Sequence, residues 1–316
     1  MCRPLLLCVF VLPAALIGCS SDSSTPADEG GSPGAAAWTI GVSQCNLGEP
    51  WRVQMDADLK RAAESHPEVQ LQFNNAENDT LKQRAQIEEF VSAGVDLLIV
   101  SPKEAQPLTE PIAKAYDAGI PVIVLDRRVL RDAYTCFIGA DNREIGRAAG
   151  RWIAEHAKPD AKIVELQGLM TSVPAQDRHS GFLDGLGEAG QVIFAADMQW
   201  LEPQARKEMD SALARFDEID VVYAHNDPGA HGAYLAAKAA GRDEEMLFVG
   251  IDALPHEGVA YVKQGILDAT FEYPTGGRKA IETAISILNG EEVPKNIVLE
   301  YATIEQPSQR AAPAGL

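Results

Sequence analysis

Residues 96–100, Asp96-Leu97-Leu98-Ile99-Val100, form a short run of nearly unbroken apolar character. A strand wet on one face alternates apolar and polar side chains. A run that is apolar at almost every position suits a strand covered on both faces, as in a parallel sheet between helix layers. Similar short runs recur at Thr39–Ser43, Val69–Phe73, Pro121–Asp126 and Thr135–Gly139. Amphipathic stretches separate them, for example 51–65 and 80–93, where Ile87, Phe90 and Val91 share one helical face by their spacing. The order repeats after residue 142: a helix over 143–156, then strands at Lys162–Leu166, Val192–Met198, Val221–Ala224, Leu247–Ile251 and Asp268–Phe271. Strand–helix alternation implies right-handed crossovers and a doubly wound parallel sheet. Two batches of similar size imply two α/β domains joined by a hinge; a single ten-strand sheet is the alternative.

Composition agrees with this reading. The chain has 316 residues, 46% of them hydrophobic and only 6% aromatic, enough for more than one core. A formal net charge of −19 argues against a nucleic-acid partner, since phosphate binding needs a basic face.

The N-terminal residues predict export. Arg3 precedes an apolar run from Leu5 to Ile17, too short for a finished membrane span and suited to a signal peptide. Leu16-Ile17-Gly18-Cys19 resembles a bacterial lipobox, which predicts lipidation of Cys19; an ordinary signal peptide containing a cysteine is the plainer reading. Residues 20–37 are rich in Ser, Pro, Gly, Asp and Ala, the composition of a flexible tether. The expected organisation is a signal peptide at 1–19 and a tether at 20–37. A first lobe follows at 38–140 plus 273–300, a second at 141–272, and a C-terminal segment at 301–316. Cys45 and Cys136 would remain in the mature domain on the first and fifth strands, too far apart to pair, so both are expected as free thiols.

Polar and aromatic side chains gather where the strands end: Ser43-Gln44, Glu49-Pro50-Trp51-Arg52, Asp126-Arg127, Asp177-Arg178, Trp200, Asn226-Asp227, Asp252 and Glu272. Ligands of open α/β sheets bind at that edge. Carboxylates, amides and guanidinium forks grip adjacent hydroxyls, and tryptophan faces cover C–H patches, so the set suits a sugar ring. An Asp-Arg pair taken alone is an ordinary surface ion pair; the recurrence at strand ends in both halves carries the argument.

The segments Gly41-Val42-Ser43-Gln44, Leu125-Asp126-Arg127, Glu165-Leu166-Gln167-Gly168 with Arg178 ten residues on, His225-Asn226-Asp227 and Val249-Gly250-Ile251-Asp252 are specific in combination. From about residue 38 to 303 the chain resembles the ribose/galactose-type sugar-binding proteins of bacterial ABC importers. That resemblance implies the type I periplasmic binding protein fold and a monomer that closes about a hinge. It implies hydroxyl-binding roles for Asp126, Arg127, Arg178, Asn226 and Asp252, and ring-sandwiching roles for Trp51 and Trp200. It also sets Glu272 at a position that is glutamine in ribose binders. Trp51-Arg52, the run Tyr223 to Asp227 and Glu272 look more like the galactofuranose-binding branch. Ser43 and Gln44 complete the expected binding set, while Gln44, Glu49 and Asp177 either touch ligand or orient Arg52 and Arg178.

Other chemistries find less support. Gly185-Leu186-Gly187-Glu188-Ala189-Gly190 spells a dinucleotide fingerprint, but it follows a helix and precedes a strand, the reverse of what the motif requires. No CxxC, HExxH or EF-hand run occurs, so neither metal nor cofactor is expected; His225 and His231 read as core or rim residues. A repressor of this fold would need a DNA-binding module where the signal peptide stands. A glycosidase using Asp126 and Asp252 is disfavoured because Arg127 and Arg178 should keep both carboxyls ionised. The expectation is a binding protein rather than an enzyme. It would be lipid-anchored in the periplasm or at the cell surface and would deliver a monosaccharide to an ABC importer permease. The alternative is a sensor serving a membrane receptor kinase.

Overall fold

The computed structural model describes residues 38–305. The expected signal peptide, Cys19, the tether and residues 306–316 lie outside them. No helix of the described residues is long and apolar enough to cross a membrane.

Two six-stranded sheets carry the chain. The first contains β1 (Trp38–Gln44), β2 (Val69–Asn75), β3 (Leu97–Ser101), β4 (Val122–Leu125), β5 (Cys136–Ala140) and β11 (Asn296–Leu299), in the order β11-β5-β4-β3-β1-β2. The second contains β6 (Ala161–Gln167), β7 (Gly190–Asp197), β8 (Val221–Ala224), β9 (Leu247–Asp252), β10 (Ala269–Glu272) and β12 (Thr303–Glu305), in the order β12-β10-β9-β8-β6-β7. Every pairing is parallel except that of β12 with β10. This is the two-domain architecture of a type I periplasmic binding protein. β3, β4 and β5 are buried at every position, as their unbroken apolar runs require.

The chain passes from one sheet to the other three times, after β5, after β10 and after β11. Two strands carried no clear signal. β11 is an edge strand with two exposed residues, and β12 is three residues long, so neither buries enough apolar surface to show a pattern. β12 attaches part of the expected trailing segment, 301–316, to the edge of the second sheet.

Register aligns the functional ends. Gln44 pairs with Ser101 and Val100 with Val124, so β1, β3 and β4 deliver Gln44, Ser101 and Asp126 to one edge. In the second sheet, Leu166 pairs with Ala224 and Asp252 with Glu272 at the corresponding edge. The sheet order reverses beside β1 and beside β6, which opens a crevice at each edge for a ligand.

Helices begin where the caps allow. Asp79 accepts from the backbone N–H of Leu81 and Lys82 to start α2 (Thr80–Ala93), and Asn226 accepts from Gly229 to start α7 (Asp227–Ala239). α4 (Asn142–His156) and α5 (Val173–Leu186) approach closely through glycines. A Cβ on Gly146 would lie 2.3 Å from the carbonyl oxygen of Arg178, so that glycine sets the position of Arg178. The GxGxxG run is the end of α5, its positive-φ cap Gly187 and the first residue of β7, not a nucleotide loop. Cys45, one residue past β1, and Cys136 on β5 are buried and unpaired.

Candidate functional site

Between the facing sheet edges lies a small cavity whose walls are almost wholly buried. Eight of the eleven expected site residues line it: Trp51, Arg52, Asp126, Arg127, Arg178, Trp200, Asn226 and Asp252. Glu49, Pro174 and Tyr273 complete the wall.

The first lobe supplies a buried ion cluster. Arg52, on α1 (Pro50–Ala63), donates from Nη2 to Asp126 Oδ2 at 2.7 Å and from Nη1 to Ser101 Oγ at 2.7 Å. Glu49 Oε2 stands 3.7 Å from Arg52 Nε while its Oε1 accepts from Asn46, so Glu49 both lines the cavity and orients Arg52. Arg127 donates to the carbonyl of Lys103 and lies 3.6 Å from Asp126. Burial pushes the Asp126 carboxyl up, but Arg52 and Arg127 outweigh it and hold the group below the usual carboxylate range.

The second lobe places one arginine with care. Arg178 donates from Nε to Asn142 Oδ1 at 2.9 Å and from Nη1 to the carbonyl of His225. That carbonyl is held from behind. His225 Nδ1 accepts from the Gly168 N–H, which leaves Nε2 to donate to Glu165 at 3.0 Å. Burial raises the Glu165 carboxyl, yet hydrogen bonds from His179 and His225 outweigh it and bring it to about 2. Burial lowers the His225 pKa, consistent with a neutral ring in this tautomer. His225 is therefore a fully buried core residue, and no group of three or more metal-ligating side chains occurs among the described residues.

Aromatic faces close the walls. Trp51 stacks on Tyr273 with centroids 4.9 Å apart, and Trp200 lies beneath the guanidinium groups of Arg178 and Arg127 at 5.3 and 5.6 Å. Gly168 makes room for Trp200, since a Cβ there would fall 2.3 Å from the ring. Trp200 Nε1 is buried without a hydrogen-bond partner, the kind of unsatisfied donor that a ligand hydroxyl can answer. Asn226 donates to the Trp200 carbonyl at 3.0 Å and caps α7, so its amide fixes the wall itself.

Three wall residues have left-handed backbone without being glycine: Asp126 (φ 71°), Trp200 (φ 68°) and Asp252 (φ 132°). Asp126 sits at the centre of a γ-turn of positive φ, with the Arg127 N–H bonded to the Leu125 carbonyl at 2.9 Å. Strain of this kind concentrates at binding sites, where it aims a side chain that a relaxed strand end would direct elsewhere.

Three expected residues lie elsewhere. Ser43 is buried within β1 and accepts from Gln83; Gln44 donates to Asp56 and lies beneath the site. Glu272 is exposed and lines an outer groove instead, because the strand alternation turns it away and brings Tyr273 to the wall. The pattern seen at Leu125-Asp126, a residue one past a strand end, also points to Tyr273. Asp177 is half-buried in a separate pocket with Asp141 and Asn142.

The ionisation expected of Asp252 is also corrected. Burial pushes its carboxyl well above the usual range, Asp227, Glu49 and Glu257 add to that, and Arg178 at 4.0 Å only partly opposes it.

Residues 40–292 match the periplasmic binding protein domain family, and the chain belongs to that family. The ribose import binding protein of Bacillus subtilis is 28% identical over 295 residues, 93% of this chain and 94% of that protein. The galactofuranose-binding protein of Escherichia coli is 28% identical over 286 residues, 86% of this chain and 89% of that protein. Among solved structures, the fructose-binding periplasmic domain of a hybrid two-component system superposes with a TM-score of 0.83 at 45% identity, covering 86% of this chain and 91% of that one. A Mycobacterium smegmatis protein in complex with β-D-fucofuranose gives 0.81 at 31% identity, covering 85% and 92%.

Proposed function

We propose that this chain captures a monosaccharide, preferentially in a five-membered ring form, and delivers it outside the cytoplasm to an ABC importer. The make-up of the cavity wall carries the reading. It pairs flat aromatic faces with planar charged groups drawn from both lobes. Relatives named for galactofuranose and fucofuranose support the ring form. The fructose-binding relative, at 45% identity, supports adding fructose to a galactofuranose-like aldose as a candidate ligand.

Capture by closure follows from the division of contacts. Asp126, Arg52 and Trp51 come from the first lobe, Arg178, Trp200 and Asp252 from the second, so a sugar touching both sets favours the lobes coming together. A glycosidase reading gains no support from Asp126, whose Oδ1 accepts from Tyr273 and Oδ2 from Arg52, leaving each oxygen a lone pair with which to grip a sugar hydroxyl. We read the chain as a lipid-anchored monomer without enzymatic activity or cofactor, with Cys19 as the anchor.

A thermal-shift screen against fructose, galactose, arabinose, ribose, inositol and a galactofuranose source tests the reading. Saturation at 100 times Kd should stabilise the native state by about 2.7 kcal/mol; no shift with any sugar sinks it. The second reading is a sugar sensor, favoured because one similar domain belongs to a two-component system. Capture of an importer permease by the sugar-loaded protein supports transport, whereas capture of a receptor kinase supports sensing.

A further inference from the structure

Tyr273 lies on the second crossing between the sheets, one residue past β10. It is buried and touches both lobes. In the first lobe its hydroxyl donates to Asp126 Oδ1 at 2.5 Å, its carbonyl accepts from Trp51 Nε1 at 2.6 Å, and its ring stacks on Trp51. In the second lobe its hydroxyl accepts from Asn142 Nδ2 at 3.2 Å, and the Arg178 guanidinium lies 4.3 Å above its ring. The phenol ring is thus held at its face and at its hydroxyl by groups from both lobes.

Tyr273 and Asp252 also face a second space. Both line a larger open groove bounded by Gln54 and Asp58 of α1, the loop 253–256 and the start of α9 (Gly277–Leu288). Tyr273 is thus the partition between the small buried-walled cavity and a roomy groove with charged walls. Extra atoms on a ligand ring directed at Tyr273 meet a fixed aromatic wall, and behind that wall is ample space.

We propose that Tyr273 is the size-selecting residue of this site: its ring excludes sugars substituted on that side, and the groove receives the substituent once the ring is gone. The inference rests on the reading that a sugar occupies the cavity. Tyr273 acts as a wall and as a positioning residue for Asp126, and its two parts do separate work. The ring sets selectivity; the hydroxyl, by holding Asp126, contributes to affinity.

The test uses the full chain and calorimetry with D-fructose, D-galactose, L-arabinose and D-ribose, then the methyl glycoside and mono-O-methyl derivatives of each sugar that binds. The wild type should reject at least one derivative, since a single misplaced carbon in a closed pocket is worth about 10–200-fold. Y273A should bind that derivative at least about tenfold better relative to the free sugar. Y273F should keep the rejection while losing a few-fold in affinity for the free sugar. A folded Y273A with wild-type selectivity overturns the inference, as does a wild type that takes every derivative as well as the free sugar; if Y273A does not fold, Y273L serves for the same comparison. A wild type that binds none of the four sugars, or their derivatives, overturns the sugar reading and this inference together, which keeps the two failures distinct.

Discussion

Asp126 Oδ2 and Arg52 Nη2 meet at 2.7 Å with both side chains almost wholly buried. The pair joins the end of β4 to the third residue of α1, and Arg127 stands beside it. Removing one partner of such a pair leaves the other charge buried and uncompensated, at a cost of about 3–5 kcal/mol. D126A should therefore both abolish sugar binding and lower stability by that order in urea denaturation. D126N, which keeps an oxygen acceptor, should lose binding with a smaller stability loss. Equal stability of D126A and wild type would show that the cluster is solvated in solution.

The second lobe predicts a pH dependence of known sign. Burial raises Asp227 to about 7, and burial with the Glu202 charge raises Glu257 to about 7. A carboxyl raised in the folded state holds its proton longer than in the unfolded chain. Its contribution is present below the ordinary carboxylate range and is lost as pH rises to about 7. Glu165, lowered to about 2, has the opposite sign: its contribution is present above the ordinary range and is lost as pH falls toward 2. Melting temperatures followed from pH 3 to 8 should show both arms, and D227N should flatten the upper one. An unchanged upper arm in D227N would remove Asp227 as its source.

Trp200 contributes a face and an N–H. W200F keeps an aromatic face for Arg178 but removes the unpartnered donor. It should weaken sugar binding by about 0.5–1.5 kcal/mol, a few-fold to about tenfold in Kd. W200A, losing the face as well, should bind more weakly still. Calorimetry on the two variants separates the contributions, and identical affinities for them would rule out the aromatic face as a contributor.

Gly146 works at a distance. A Cβ there would press on the Arg178 backbone at 2.3 Å, so G146A must force α4 from α5. The expected cost is about 1–3 kcal/mol of stability, as for overpacking in a tight core. Sugar affinity should fall with it, because Arg178 moves. Full affinity in a destabilised G146A would mean that Arg178 finds its place independently of the helix contact.

Lipidation at Cys19 is tested by fractionation. C19S expressed in a lipoprotein-processing bacterium should leave the membrane fraction and become soluble. Retention of C19S in membranes would rule out the lipid on Cys19 as the anchor.

Ten strands, the two-batch repeat and eight wall residues were legible in the sequence for a common reason. Parallel strands buried on both faces need unbroken apolar runs, and open α/β sheets bind ligand where those runs stop. Leu125-Asp126-Arg127 and Val249-Gly250-Ile251-Asp252 mark both the strand and its end. The same rule overreached at Ser43-Gln44, where the strand continues through Gln44 and the two side chains serve the core. It slipped by one residue at Glu272-Tyr273, because which side of a strand faces the cavity depends on the twist and on the crossing that follows.

The sequence alone determined the sheet architecture, the division into two lobes and the sugar-like chemistry of the strand ends, since these rest on local periodicity and residue type. Only the tertiary structure decided what surrounds each group. Asp126 and Asp252 are both aspartates beside arginines, yet one is held ionised by two guanidinium groups in contact. The other is pushed well above the ordinary carboxylate range because deep burial and three neighbouring carboxylates outweigh one arginine at 4.0 Å. Tyr273 bridges Asp126, 147 positions earlier in the chain, and Asn142, 131 positions earlier. Electrostatic environment and packing depend on distances between segments far apart along the chain, and those distances exist only once the two lobes have folded against each other.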